Sequence, residues 1–298
     1  MSAPHALLTL KEALRAAEAG GYALGSFSPR VTPMIAPVLE AAEALRSPLI
    51  VQISQRELAR YGLSAKTFAD ALFWEMRRLR VSVPTVLHLD HTFEAPVIAE
   101  AIDAGFTSVM IDRSAEPFEI NVAGTREIAD YAHGRGVSVE AELGKIGTTD
   151  FVETDTDEEA FTDPDEAGRF VAQTGVDALA VAVGTAHGHY VTRQPRVDID
   201  RLKAIRARTA VHLVLHGGSG VPPEMIQAAV KLAGGGISKV NIATDLEHAM
   251  LTALGRTERL SDAEARSLPP EALAKARSAV QACVAEKIET YLMSAGRA

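Results

Sequence analysis

The sequence predicts an α/β protein, a (β/α)8 TIM barrel with additional C-terminal helices, and three observations carry that prediction. Eight short β-branched or aliphatic runs alternate with longer stretches of helical periodicity. The chain of 298 residues is 47% hydrophobic, enough to fill the core of one such barrel. Polar residues capable of chemistry fall at the C-terminal ends of six consecutive runs, where a parallel barrel builds its working face.

The runs are YALGSF (22–27), PLIVQIS (48–54), TVLHLDH (85–91), SVMID (108–112), SVEAELG (138–144), ALAVAVG (178–184), HLVLHGG (212–218) and SKVNIA (238–243). Between them lie helix boundary signals. Asp163 reads as an N-cap, Pro164 as the first helical residue, Glu166 as part of the first turn and Gly175 as the stop. Gly105 and Gly136 close two other helices. Pro37 fits the first helix only in its first turn, where no backbone N–H is needed. After residue 244 the pattern is helix, a break at Pro269 and Pro270, and helix again, a tail that packs on the barrel or on a second subunit. No Pro/Gly/Ser-rich linker interrupts the chain, so the expectation is one domain over 1–298 with a helical extension at about 246–298.

A formal net charge of −9 excludes nucleic acid and anionic membrane as general partners, while leaving room for a local phosphate site. The single cysteine, Cys283, has no intramolecular disulfide partner and reads as a small buried residue. The polar, amphipathic start lacks the features of a signal peptide, and no apolar stretch approaches the roughly 18 residues of a spanning helix. A cytoplasmic protein is expected.

Six strand ends carry the candidate chemistry: Asp90 and His91 on the third, Asp112 on the fourth, Glu142 on the fifth, His187 beyond the sixth, His216 on the seventh and Asn241 on the eighth. Three histidines from separate strand ends offer imidazole nitrogens to one divalent ion and leave coordination positions open, the arrangement of a catalytic site; zinc is the first choice. His88 and His212 occupy strand positions below the rim, His133 ends a helix and His189 alternates away from His187, so these four are assigned structural places. Asp90 precedes a candidate ligand and in a regular strand would face the other way, unless the strand ends there. A carboxylate beside the metal suits proton abstraction; its bland counterpart is a residue that orients an imidazole. Glu142 and Asp112 suit that orienting task or a second ion position. Gly188, Gly217, Gly218, Ser219 and Thr244 cluster on strands six to eight, where glycines let backbone N–H groups approach an anion, and so predict a phosphorylated substrate.

HLDH (88–91), VEAELGKIG (139–147), AVGTAHGHY (182–190), LVLHGGSG (213–220) and KVNIATDL (239–246) resemble, in order and spacing, the motifs of class II fructose-bisphosphate and tagatose-bisphosphate aldolases. The resemblance spans about residues 22 to 250. It implies a lyase of carbohydrate metabolism that forms or cleaves a ketose phosphate, with dihydroxyacetone phosphate as the donor half. It implies zinc as a Lewis acid on His91, His187 and His216, with Glu142 as a ligand in an alternative position. Asp90 matches the proton-exchanging aspartate, and Asn241 the asparagine beside the reacting carbon. Gly188, Gly217, Ser219, Ala243 and Thr244 match the phosphate cradle. A monovalent cation, Na+ or K+, and a homodimer or homotetramer complete what the resemblance implies.

The departures from the family pattern concern the aldehyde half. Ser26, Phe27 and Ser28 stand where the family commonly has Ala-Phe-Asn. Gly147 is followed by Thr148, Thr149 and Asp150 in place of a second glycine and an acidic glutamate, so Asp150 or Glu153 takes the role of acid. Leu268 to Pro270 lacks the arginine that holds the distal phosphate. Arg30, Arg266 and Arg277 are the candidate substitutes, unless the aldehyde carries another group. Ala243 leans towards the tagatose branch and HGGSG towards the fructose branch.

Overall fold

The structure, a computed structural model, describes residues 7–146, 161–188 and 194–298. Eight parallel strands close into a barrel in sequential order. They are β1 (Leu24–Phe27), β2 (Leu49–Ser54), β3 (Thr85–Thr92), β4 (Ser108–Ile111), β5 (Ser138–Leu143), β6 (Ala178–Val181), β7 (His212–Leu215) and β8 (Ile237–Ile242). β6 and β7 stop earlier than their sequence runs, because the glycines that follow turn the chain: Gly184 has φ +106° and Gly217 φ +64°.

Among the described residues, the outer ring contains α2 (Ile35–Ala44), α3 (Gln55–Tyr61), α4 (Ala65–Leu79), α5 (Ala95–Asp103), α6 (Phe118–His133), α7 (Pro164–Thr174), α8 (Ile199–Arg206) and α9 (Pro223–Val230). Pro37 falls in the first turn of α2. Asp163 caps α7 by accepting from the Glu166 N–H at 2.9 Å, and Gly175 ends it in the left-handed conformation.

A helix unmarked in the sequence runs, α1 (Leu10–Gly20), starts with a capping box between Thr9 and Glu12. Its buried face, Leu10, Ala13, Leu14 and Ala17, packs on Ile50, Val86, Met110 and Val214. Each buried leucine contributes roughly 1.5–3 kcal/mol. α1 thereby stops the N-terminal mouth of the barrel, so the site lies at the other end.

The tail folds as α10 (Thr244–Ala253), α11 (Asp262–Arg266), α12 (Pro270–Glu286) and a π-helical turn, Lys287–Leu292. The tail packs on the barrel, with α12 lying on α2 and α10 of the same chain. Asp262 accepts from the Thr32 N–H at 2.6 Å, tying the tail to the segment after β1 and carrying Arg259 to the rim. No helix among the described residues is long and apolar enough to cross a membrane.

Candidate active site and metal centre

Asp90 and His91 are neighbours in β3, yet both face the barrel rim. The strand does not end there. Instead its register with β4 slips between Leu89 and Thr92, and His91 has φ +21°. A bulge of this kind adds a residue to one strand and re-aims its side chain, removing the alternation that would have separated the two.

The rings of His91, His187 and His216 meet at this point, with centroids 4.5 Å to 5.6 Å apart. The Nε2 atoms of His91 and His187 are 3.2 Å apart. Two nitrogens on a tetrahedral zinc with bonds of about 2.0–2.1 Å would be about 3.3 Å apart, so the pair matches that edge. His91 Nδ1 lies 2.8 Å from Asp112 Oδ2, and His216 Nε2 lies 2.9 Å from Glu140 Oε1. A ring that donates one N–H to a carboxylate turns the other nitrogen's lone pair to the site. His216 Nδ1 is buried without a hydrogen bond, as is Glu142 Oε2, 3.3 Å away. Unpaired buried donors and acceptors are costly, and an ion shared among these atoms removes that cost. The donor set fits a divalent metal.

The electrostatics agree. Burial alone would lower the His91 pKa, but Asp90, Asp112 and Glu142 outweigh it and raise the ring to about 10. Three carboxylates thus create a position that demands positive charge. Burial would raise Asp90, whereas His91, His88, Lys239 and His216 hold its carboxyl well below the usual range, so it is ionised at neutral pH. Asp90 also accepts from Asn241 Nδ2 at 3.1 Å and from Gln52 Nε2 at 3.2 Å. Both amides fix its direction, and Ser26 in turn donates to Gln52.

Gly188, Gly217, Ser219, Ala243 and Thr244 line the same cavity as Asp90 and His91. Gly217 must be glycine, since a Cβ there would run into the Ala186 backbone. α10 begins beside them at Ala243, which offers no capping side chain; its Asp245 N–H donates to Ser219 Oγ at 3.2 Å, and the Thr244 N–H next to it suits an anion. Gly218 does not join the cradle. Its N–H is spent on the Asn241 carbonyl at 3.0 Å, and a side chain there would meet Val240 and Asn241. It is required for β7 to approach β8.

The lining of this cavity also carries four arginines, Arg30, Arg56, Arg60 and Arg259, together with Glu57. Arg30, with φ +61°, pairs with Glu57 at 3.1 Å and closely with Glu247. Glu247 also accepts from Arg259 at 3.1 Å and Tyr61 at 2.6 Å. Ser28 turns its hydroxyl to Glu57 at 2.9 Å. Arg266 and Arg277 line a separate groove with Trp74 and Thr32, so neither substitutes for the missing arginine. Arg56, Arg60 and Arg259 went unnoticed in the sequence because α3 and the α10–α11 connection meet only through the closure of the barrel.

His88 is fully buried against Ser108 at 2.8 Å, His133 pairs with Asp177 at 2.8 Å, and His212 pairs with Glu18 at 2.5 Å. Asp150, Glu153 and His189 lie outside the described residues.

Fold and rim together define a (β/α)8-barrel enzyme with a candidate metal centre. A family model described as fructose-bisphosphate aldolase class-II matches residues 8–297. A fructose-bisphosphate aldolase from Geobacillus stearothermophilus is 39% identical, over 96% of both chains. One from Staphylococcus aureus is 38% identical over 96% of this chain and 97% of its own. Among solved structures, the YdjI aldolase from Escherichia coli K12 superposes with a TM-score of 0.82 at 32% identity, covering 98% of this chain and 99% of that one. The chain belongs to the class II fructose-bisphosphate aldolase family and is a lyase.

Proposed function

We propose that the protein is a zinc-dependent aldolase that reversibly cleaves a ketose phosphate, such as fructose 1,6-bisphosphate, into dihydroxyacetone phosphate and an aldehyde with an anionic far end. The observation that carries the reading is the ionised Asp90, gripped by Asn241 and Gln52, beside three converging histidines.

His91, His187 and His216 hold the ion in this reading, and Glu142 takes it in an alternative position. Bound zinc supplies Lewis acidity towards a carbonyl oxygen and keeps open coordination positions. Asp90 is the base. In the cleavage direction it takes the hydroxyl proton at the bond to be broken; the C–C bond opens, the aldehyde leaves, and the proton returns to the donor carbon. Gly188, Gly217, Ser219, Thr244 and the start of α10 receive the donor phosphate, with sodium or potassium beside it. Asp150 or Glu153 supplies the acid.

Four arginines against Glu57 and Glu247 leave the acceptor wall positive in a chain whose net charge is −9, which supports an anionic aldehyde. A homo-oligomer in the cytoplasm completes the proposal. The test is a panel of acceptors with the donor fixed: phosphorylated or carboxylated aldehydes are expected to outperform neutral ones. Preference for a neutral aldehyde would contradict the acceptor assignment, and activity that survives full zinc removal would contradict the metal assignment.

A further inference from the structure

Beneath the site, inward positions two residues below Asp90, Glu142 and Asn241 on their strands are His88, Glu140 and Lys239. All three are fully buried. This layer of a barrel is ordinarily aliphatic, and burying charge costs several kcal/mol per ion unless geometry compensates. His88, Asp90 and Glu140 also lie close enough to hold a cation. The cation they have is Lys239: its ammonium donates to both Glu140 oxygens at 2.8 Å and 3.0 Å, and lies 3.4 Å from His88 Nε2 and 3.9 Å from Asp90 Oδ1. A second metal there is unnecessary.

Glu140 has a further task. It accepts from His216 Nε2 at 2.9 Å, which leaves Nδ1, 3.3 Å from Glu142 Oε2, as the nitrogen to offer a metal. His216 therefore differs from His91, which faces His187 through Nε2. Which nitrogen His216 presents depends on Glu140 remaining in place as an acceptor, and Lys239 is what grips both its oxygens. On the reading of the site given above, we infer that Lys239 is a positioning residue that, through Glu140, fixes the His216 nitrogen offered to the metal.

The test measures zinc affinity by chelator competition, the electronic spectrum of the cobalt-substituted protein and thermal stability, for wild type, Lys239→Met and Lys239→Gln. Gln removes the charge and the reach that grips both Glu140 oxygens while keeping a polar side chain in the core, and is the variant to use if Met does not fold. The expected result is zinc affinity lower by about 10–100-fold, with an altered cobalt spectrum and a folded protein. Affinity within about threefold of wild type in the folded variant, with an unchanged spectrum, would overturn the inference. These readouts need no turnover: a wild type that binds zinc without cleaving any ketose phosphate would sink the aldolase reading alone, and one that binds no zinc would sink both.

Discussion

Asp112 Oδ2 sits 2.8 Å from His91 Nδ1, so one side chain at the end of β4 decides which nitrogen of a β3 histidine faces the metal position. Asp112 itself is anchored by the Ser114 hydroxyl at 2.8 Å. Asp112→Ala is expected to weaken zinc binding by about 10–100-fold while the fold persists. Equilibrium dialysis against a chelator measures it.

The acceptor wall yields a charge-specific effect. Arg56 lies over the Phe93 ring at 5.0 Å and lines the cavity. Arg56→Ala is expected to lower kcat/KM for an anionic aldehyde about tenfold, the scale of one charged hydrogen bond, and to leave a neutral aldehyde nearly unchanged. Steady-state kinetics on matched phosphorylated and unphosphorylated acceptors separate the two.

Cys283 is expected to react slowly with alkylating agents in the folded protein. Burial pushes its thiol up to about 12, with Asp245 adding to the shift and Lys287 opposing it. At pH 8 about one molecule in 10⁴ then carries the thiolate, the form that attacks alkylating agents. Iodoacetamide labelling is expected to be at least about a hundredfold slower in native than in urea-unfolded protein.

Asp177 makes stability depend on pH. Burial would raise its pKa, but the Val139 N–H at 2.9 Å, His133 and Lys11 lower it. A depressed folded pKa means the contribution is present above the unfolded value, near 3.8, and is lost as pH falls through the folded one. Asp177→Asn is expected to cost about 1–3 kcal/mol at pH 7, most of it from the buried hydrogen bonds and little from the exposed Lys11. Urea denaturation of both proteins at descending pH is expected to show the difference shrinking.

Much of this was legible in the sequence. The β-branched runs located all eight strands, because a parallel strand buried on both faces has no polar alternation to hide it. His91, His187 and His216 were likewise visible at strand ends, and the structure brings them together. The β3 bulge was not: nothing in TVLHLDH marks a register slip set by pairing with β4. Gly218 looked like a phosphate ligand because sequence does not reveal whether a glycine N–H is spent on a neighbouring strand. The arginine wall depends on segments far apart in the chain. Lys239 and Glu140 carried a readable signal, a polar residue two positions before a site residue on an inward face, where a barrel core calls for aliphatic ones.

Hydrogen exchange on the donor alone tests the account most directly, since it needs Asp90 and the metal but no aldehyde. Zinc-loaded protein in deuterated water, followed by NMR, is expected to exchange one of the two hydrogens on the hydroxyl-bearing carbon of dihydroxyacetone phosphate. Exchange should fall by about 10²-fold or more in Asp90→Asn, and also after zinc removal. Exchange that persists at the wild-type rate in zinc-loaded Asp90→Asn would contradict the assignment of Asp90 as the base.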